Sequence, residues 1–103
     1  MRPRLVAFVA LLGAALHPCI AAAADIGAGQ MLYTMHCVAC HGVGGRSVIP
    51  DAPNFSRGDR LMQPDVSLMM SIKAGKNAMP SFNGILRDQQ ILDVVAYLRT
   101  LRR

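Results

Sequence analysis

Two cysteines three positions apart are followed directly by a histidine in the segment Cys37-Val38-Ala39-Cys40-His41. This spacing is typical of a c-type haem attachment site. Each thiol can add across one vinyl group of a porphyrin to form a thioether, and the adjacent imidazole can then bind the iron as its proximal ligand. The motif therefore predicts one covalently bound haem c, attached through Cys37 and Cys40 and ligated by His41.

Three other roles for the cysteine pair fit the sequence less well. A thioredoxin-like motif would follow a β-strand within a βαβ unit, whereas Cys37 follows a helix-like segment. A zinc site needs four ligands, and the one further cysteine, Cys19, lies in a segment that we expect to be removed. A disulfide between Cys37 and Cys40 would close a very small loop and would leave His41 without a role.

The amino terminus has the pattern of a secretory signal peptide. Two arginines precede an apolar run at residues 5–16, and small residues follow up to Ala24, after which we expect cleavage. The apolar run is shorter than the roughly 20 residues that span a bilayer, so no stable membrane insertion is expected. A lipid anchor at Cys19 is the alternative, but the proline before it fits an acylation site poorly. The sequence thus predicts a cleaved leader at residues 1–24 and export to the periplasm.

Removal of the leader leaves one domain at residues 25–103, which is small for a stable hydrophobic core. A covalently held porphyrin would add apolar surface to that core, so we expect the apoprotein to fold poorly. The domain keeps nine basic and six acidic residues, a net charge of +3. Few aromatic residues are available to stack on bases, which argues against nucleic acid as a partner. The positive charge instead favours docking to an acidic redox protein.

The domain has the pattern of an all-α fold, with helices separated by turns. Asp25 can cap a first helix over residues 26–40. Glycines and prolines keep the following stretch irregular. A second helix is predicted over residues 65–72, with Pro64 at its start and Gly75 to end it.

A last helix is predicted to begin at Asp88. Its apolar side chains recur at helical spacing and form one stripe: Ile91, Val94, Val95, Leu98 and Leu101. Basic residues follow near the carboxyl end, where they complement the helix dipole. This stripe is expected to face the core.

A second axial ligand decides whether the haem iron has a vacant position. Met79 lies in Gly75-Lys76-Asn77-Ala78-Met79-Pro80, an irregular segment that proline stiffens. Such a segment can present a thioether to the iron, so Met79 is the predicted ligand and Met62 the alternative; a merely packed Met79 also stays open. His36 directly precedes Cys37 and is expected to be a surface residue. Apolar side chains expected near the haem would raise its reduction potential: Val48, Ile49, Phe55 and Phe82.

Over residues 25–103 the sequence resembles the class I monohaem cytochromes c. The matching features are Gly29 and Tyr33, the Cys-x-x-Cys-His-Gly box through Gly42, the run from Ile72 to Pro80, and Asp93 to Leu98. The resemblance implies three to four helices wrapped around one covalently attached haem. It also implies that the first and last helices cross with Gly29 and Tyr33 against Tyr97.

Two further expectations come from the same resemblance. The Pro50 carbonyl is expected to hold the free ring nitrogen of His41 and so to fix the plane of the imidazole. Arg87 departs from the family pattern, which has Ser or Thr as the cap of the last helix. Asp88 is the alternative cap, so the start of that helix is uncertain by one residue.

Within this family the chain is most similar to the small periplasmic cytochromes c found with cytochrome cd1 nitrite reductases in denitrifying bacteria. The residues that carry this narrower resemblance are 54–61, 63–65 and 79–86. It implies a carrier that takes electrons from a quinol-oxidising complex and feeds nitrite reductase. An accessory role in the maturation of that enzyme's haem is the alternative.

The predicted ligands indicate an electron-transfer protein and not an enzyme. With His41 and Met79 both bound, the iron changes oxidation state without a vacant site for substrate. Basic residues on either side of the haem-covering segment are placed to orient an acidic partner, or else form an ordinary solvated surface: Arg57, Arg60, Lys73 and Lys76. Two other classes stay open, a peroxidase-like enzyme or gas sensor with a displaceable Met79, and a bound subunit of a larger oxidoreductase. We expect a monomer.

Overall fold

The structure, a computed structural model, describes residues 1, 3–4, 10, 12–18 and 22–103. The predicted leader lies partly outside the described residues, which exclude Arg2, residues 5–9 and Cys19. From Asp25 onward the chain forms four α-helices. They are α1, Ile26–His36; α2, Val38–His41; α3, Asp65–Ala74; and α4, Asp88–Arg99. No β-strand is present in the part of the chain that the structure describes, and the all-α prediction is confirmed.

Helix α1 begins where the sequence predicts it. Asp25 has an extended backbone, and its carboxylate accepts a hydrogen bond from the Ala28 N–H at 3.0 Å. The helix predicted to continue to Cys40 is interrupted at Cys37, where the backbone leaves the helical region (φ −120°, ψ −29°). The N–H groups of Cys40 and His41 then donate to the Cys37 carbonyl, at 3.2 and 2.9 Å, and hold the short turn of α2. The attachment motif therefore spans a break between two helices.

Helices α1 and α4 cross at Gly29. A side chain at this position would overlap the backbone of Asp93, so the two helices can approach only because Gly29 has none. One turn further on, the rings of Tyr33 and Tyr97 meet edge to face, with centroids 5.2 Å apart. The predicted contact of Tyr33 with Tyr97 is confirmed, and the closest approach at Gly29 is to the backbone of Asp93.

The predicted apolar stripe forms the centre of the core, although α4 ends at Arg99 and Leu101 lies just beyond the helix. Its predicted members are all at most 8% exposed: Ile91, Val94, Val95, Leu98 and Leu101. Side chains from the other segments pack against them: Tyr33, Phe55, Leu61, Leu68, Phe82 and Leu86. The helix begins at Asp88 as predicted, but the cap is Arg87, whose N–H donates to the Gln90 side chain at 2.9 Å. Because Gln90 reaches back to the cap, no Ser or Thr is needed there; Asp88 instead pairs with Lys73 at 2.7 Å.

Helix α3 extends two residues beyond its predicted end and stops before Gly75, as expected. Gly75 adopts a φ of +70°, a conformation that favours glycine. Leu68 is the buried residue of α3, and Met69 and Ile72 pack half-buried against the core. Among the described residues, no helix is both long enough and apolar enough to cross a membrane.

Candidate functional site

A cavity of about 650 Å³ brings the predicted site residues together. Cys37, Cys40 and His41 line it from the α1–α2 segment, and Met79 lines it from the loop between α3 and α4. Apolar side chains complete much of the wall: Ile49, Phe55, Leu68, Ile72, Phe82 and Leu98. Of the apolar residues expected here, Val48 does not line the cavity and is 63% exposed. The volume suits a cofactor-sized molecule, and two thiols, an imidazole and a thioether fit the requirements of a haem c.

The two cysteines are free thiols, so they do not form the disulfide considered as an alternative. Burial, and then the neighbouring Cys40, raise the pKa of Cys37 to about 11. Such a thiol is protonated at neutral pH, unlike the reactive cysteine of a thioredoxin-like motif. Within the described residues no group of three or more His, Cys, Asp or Glu side chains is arranged to hold a metal ion. The dithiol redox and zinc interpretations therefore lack support.

His41 is buried and held in a defined orientation. Its Nδ1 lies 3.3 Å from the Pro53 carbonyl oxygen, and its ring stacks on Phe55 with centroids 4.7 Å apart and planes at 26°. Because a carbonyl oxygen can only accept, Nδ1 carries the proton and Nε2 keeps its lone pair. Burial lowers the pKa of His41, while the hydrogen bond to Pro53 opposes that shift. The imidazole is therefore neutral at neutral pH, which is the form that binds a metal.

The prediction that the Pro50 carbonyl holds His41 is wrong, because the Pro53 carbonyl occupies that position. Pro50 lies in an exposed turn and lines the cavity without this contact. After it, Asp51 adopts a left-handed backbone (φ +69°), which redirects the chain before Pro53. The sequence alone does not distinguish the two prolines, since both offer a carbonyl in the same irregular loop.

Met79 is held by a tight backbone loop. The Lys76 N–H donates to the Met79 carbonyl at 3.1 Å, and the Met79 N–H donates to the Lys76 carbonyl at 2.9 Å. Gly75 packs against the same loop, where a Cβ would lie 2.7 Å from the Met79 carbonyl oxygen. The half-buried Met79 side chain lines the cavity, whereas Met62 is 85% exposed and does not. The geometry favours Met79 over Met62 as the source of a thioether ligand.

His36 has a larger role at the site than the sequence predicts. It is exposed, as expected, yet it also lines the cavity and meets Phe82 edge to face with ring centroids 5.9 Å apart. Its position one residue before the attachment motif gives no sign of this contact. The break at Cys37 separates His36 from the turn that carries His41, so regular helical spacing does not describe where the two rings lie.

The four basic residues expected to orient a partner divide into two pairs. Two form ion pairs: Arg57 with Asp59 at 3.3 Å, and Lys73 with Asp88 at 2.7 Å. Arg60 and Lys76 line the cavity, and neither forms an ion pair within the described ranges. The positive charge available at the cavity therefore comes from Arg60 and Lys76.

Comparison with known proteins gives consistent matches. Residues 24–98 match the family profile described as cytochrome C oxidase, cbb3-type, subunit III. The chain is 38% identical over 81 residues to cytochrome c6 of Limnospira maxima, which covers 72% of this chain and 90% of that one. It is 35% identical over 78 residues to cytochrome c6 of Gracilaria tenuistipitata var. liui, with 74% and 72% covered. The solved structure of cytochrome c6 from the diatom Phaeodactylum tricornutum superposes with a TM-score of 0.61 at 34% identity, covering 74% of this chain and 92% of that one.

Proposed function

Because this chain belongs to the class I monohaem cytochromes c and is an electron carrier with one covalently bound haem c, we propose that Cys37 and Cys40 attach that haem and that His41 and Met79 ligate its iron. The observation that carries this assignment is the single cavity lined by both thiols, the imidazole and the thioether. When bound, the haem supplies an iron that gains or loses one electron. The protein holds the group and sets its environment.

The surrounding residues favour the reduced state. The Pro53 carbonyl keeps the proton on Nδ1 of His41, and Phe55 fixes the plane of its ring. A neutral imidazole and a neutral thioether add no compensating charge to the site, and buried Phe82 helps to exclude water. A low-polarity surround disfavours the more highly charged oxidised state, so these residues raise the reduction potential.

Carbon monoxide tests the role of Met79. We expect the ferrous spectrum of the native holoprotein to be unchanged by carbon monoxide, because the sixth position is filled. Met79→Ala should form a carbon monoxide adduct, while the matched control Met62→Ala should behave as the native protein, since Met62 is 85% exposed and away from the cavity. Rapid adduct formation by the native protein would overturn the assignment of Met79 and favour the gas-sensor or peroxidase-like alternative.

For the physiological acceptor we propose a cytochrome cd1 nitrite reductase. The support is the sequence resemblance at residues 54–61, 63–65 and 79–86, which includes the Met79 loop. Arg60 and Lys76 supply positive charge beside the cavity, where an acidic surface of the acceptor can dock. A quinol-oxidising complex is the proposed donor.

Stopped-flow mixing of the reduced holoprotein with oxidised nitrite reductase tests this acceptor. We expect rapid oxidation of the carrier, with a rate that falls as ionic strength rises. The double variant Arg60→Gln and Lys76→Gln should react roughly tenfold more slowly. The control is Arg57→Gln with Lys73→Gln, which removes the same charge from ion-paired residues. No oxidation of the carrier by the reductase would contradict the proposed acceptor. An equal decrease of the reaction rate in both double variants would contradict docking at Arg60 and Lys76.

We further propose that residues 1–24 are a leader removed during export to the periplasm. The fold supports this division, because α1 begins at Ile26 with Asp25 as its cap and residues 22–24 are exposed. Expression with a haem-ligation system, followed by mass spectrometry of the periplasmic product, tests the boundary. A product that begins at Asp25 and carries the added mass of one haem is expected.

A further inference from the structure

Asp93 is a buried carboxylate on the inner side of α4, with 8% of its surface exposed. Its Oδ1 accepts hydrogen bonds from the backbone N–H of Asp25 at 2.9 Å and from the side-chain amide of Gln89 at 3.0 Å. No cationic side chain pairs with it in the portion of the chain that the structure describes. Buried carboxylates are usually paired with a cation, so a carboxylate held by two neutral donors is unusual.

The donor from the start of α1 is the nitrogen atom at the expected cleavage point. In the uncleaved chain this nitrogen belongs to the peptide bond between Ala24 and Asp25. Hydrolysis of that bond by a signal peptidase consumes one water, leaves a carboxylate on Ala24 and frees the nitrogen of Asp25 as an α-ammonium group. Resting on the leader cleavage proposed above, we propose that Asp93 is the binding site for this α-ammonium, so that leader removal adds a positive charge to the donor and turns the hydrogen bond into a partly buried ion pair.

The geometry needs no rearrangement for this change. The distance of 2.9 Å between Asp25 N and Asp93 Oδ1 already suits a charged pair. The Asp25 carboxylate remains engaged with the Ala28 N–H, and its carbonyl accepts from the Gly29 N–H at 2.9 Å, so the first turn of α1 is retained. A positive charge at a helix amino terminus is unfavourable by itself, but two carboxylates, those of Asp25 and Asp93, offset it.

The ion pair would join residues that are 68 positions apart in the chain. It lies at the crossing of α1 and α4, next to the close approach of Gly29 to Asp93. The added positive charge contributes an attraction between opposite charges to a hydrogen bond that already has a charged acceptor. Leader removal therefore stabilises the crossing of α1 and α4. Residues 22–24 are exposed, so their removal does not disrupt the core.

A cycle of four holoproteins tests the proposal. Two of them keep Asp93: the native chain, which begins at Asp25 after processing, and a chain with Gly-Ser inserted between Ala24 and Asp25. In the second chain, processing leaves two extra residues before Asp25. The other two carry Asp93→Asn on the same two chains. Mass spectrometry fixes the first residue of each product, and guanidinium unfolding followed by haem absorbance gives the unfolding equilibrium constant.

We expect the extension to raise the unfolding constant roughly fivefold when Asp93 is present and to have little effect in the D93N background. An equal effect of the extension in both backgrounds would overturn the proposal. A native product that does not begin at Asp25 would also overturn it, because the ammonium would then lie elsewhere. Neither result would alter the carbon monoxide test, so failure here is distinguishable from failure of the ligand assignment.

A second comparison decides the matter if D93N does not fold. Gln89→Ala removes the other donor to Asp93 and leaves the carboxylate in place. Asp93 then depends more heavily on the Asp25 nitrogen, so the penalty of the Gly-Ser extension should grow in this background. A smaller or unchanged penalty in Q89A would contradict the proposed ion pair.

Discussion

The backbone of Gly29 lies so close to Asp93 that a Cβ on Gly29 would stand 1.9 Å from the Asp93 carbonyl oxygen. Non-bonded atoms do not approach to this distance, so any side chain would force α1 and α4 apart. The same crossing holds the Tyr33–Tyr97 ring pair and the contact between Asp25 and Asp93. One glycine therefore permits the helix packing that positions the attachment motif.

Gly29→Ala is expected to destabilise the holoprotein by about 3 kcal/mol, since overpacking at a rigid backbone contact cannot be relieved by a side-chain rotation. Gly27→Ala is the matched control, because a Cβ there meets only Asp25 Oδ1, at 3.4 Å. Alanine is the better helix former at that position, so the control should be neutral or more stable by up to about 1 kcal/mol. Guanidinium unfolding measures both. Equal stability of the two variants would show that the helices do not approach as closely as the structure indicates.

The sequence predicts the parts of this fold that depend on local pattern. The stripe from Ile91 to Leu101 is readable because helical periodicity directly reports which face is buried. Asp25 is readable as a cap because its side chain bonds within its own turn. The cysteine motif and Met79 could be chosen as candidates because residue type and spacing carry their chemistry, and the structure brings these side chains to one cavity.

The remaining features depend on where separate segments meet. Pro53 rather than Pro50 contacts His41 because the backbone at Asp51 is left-handed. Glycine is the residue type that usually indicates such a conformation, so the aspartate at this position does not predict the turn. The break at Cys37 and the contact of His36 with Phe82 likewise arise from packing between segments. A pattern of residue types does not determine such contacts.

Tyr33→Phe should lower the free energy of unfolding by about 1 to 3 kcal/mol. The Tyr33 hydroxyl donates to the Gly42 carbonyl at 2.6 Å inside the core, and its removal leaves that carbonyl without this donor. Tyr97→Phe is the control, because it keeps the same ring pair and its hydroxyl makes no hydrogen bond to a described residue. Thermal or guanidinium unfolding of the two holoproteins gives the comparison. A control as destabilised as Tyr33→Phe would assign the effect to the ring contact instead.

Alkaline pH should destabilise the protein through Tyr33. Burial is the main factor that raises the pKa of Tyr33 to about 12; Cys37 and Tyr97 add to it, and a hydrogen bond from Gly45 opposes it. With Cys37 converted to an uncharged thioether, burial still acts. The native state prefers the neutral phenol, so this stabilisation is complete below the unfolded pKa of about 10 and is lost as pH rises toward about 12.

The measurement is the free energy of unfolding across that range for the native protein and for Tyr33→Phe. The native protein should lose more stability than the variant between about pH 10 and pH 12, because unfolding exposes the Tyr33 phenol and lets it ionise, which favours the unfolded state. The variant has no such phenol. Other groups titrate equally in both chains and cancel in the difference. Parallel pH profiles would show that Tyr33 does not have a raised pKa.

Arg99 ties the end of α4 to the segment before α3. Its guanidinium donates to the Leu61 carbonyl at 2.6 Å, to the Gln63 carbonyl at 2.7 Å and to Asp65 Oδ1 at 2.8 and 2.6 Å. A lysine keeps the charge but cannot reach three acceptors from one planar fork. Arg99→Lys should therefore lower the free energy of unfolding by about 1 to 2 kcal/mol, chiefly through the two carbonyls, since exposed ion pairs contribute little.

Salt separates the contributions of the carbonyls and the ion pair to this effect. At about 1 M salt, screening removes most of the Arg99–Asp65 attraction, whereas hydrogen bonds to the Leu61 and Gln63 carbonyls persist. The loss in Arg99→Lys should therefore remain in high salt. Arg102→Lys is the matched control, because the one hydrogen bond that its guanidinium makes within the described residues is a weak one to Met62, with Nη1 4.0 Å from Sδ. This variant should unfold with the native protein. If the Arg99→Lys loss disappears in high salt, the ion pair and not the carbonyl contacts holds the segment before α3 in place.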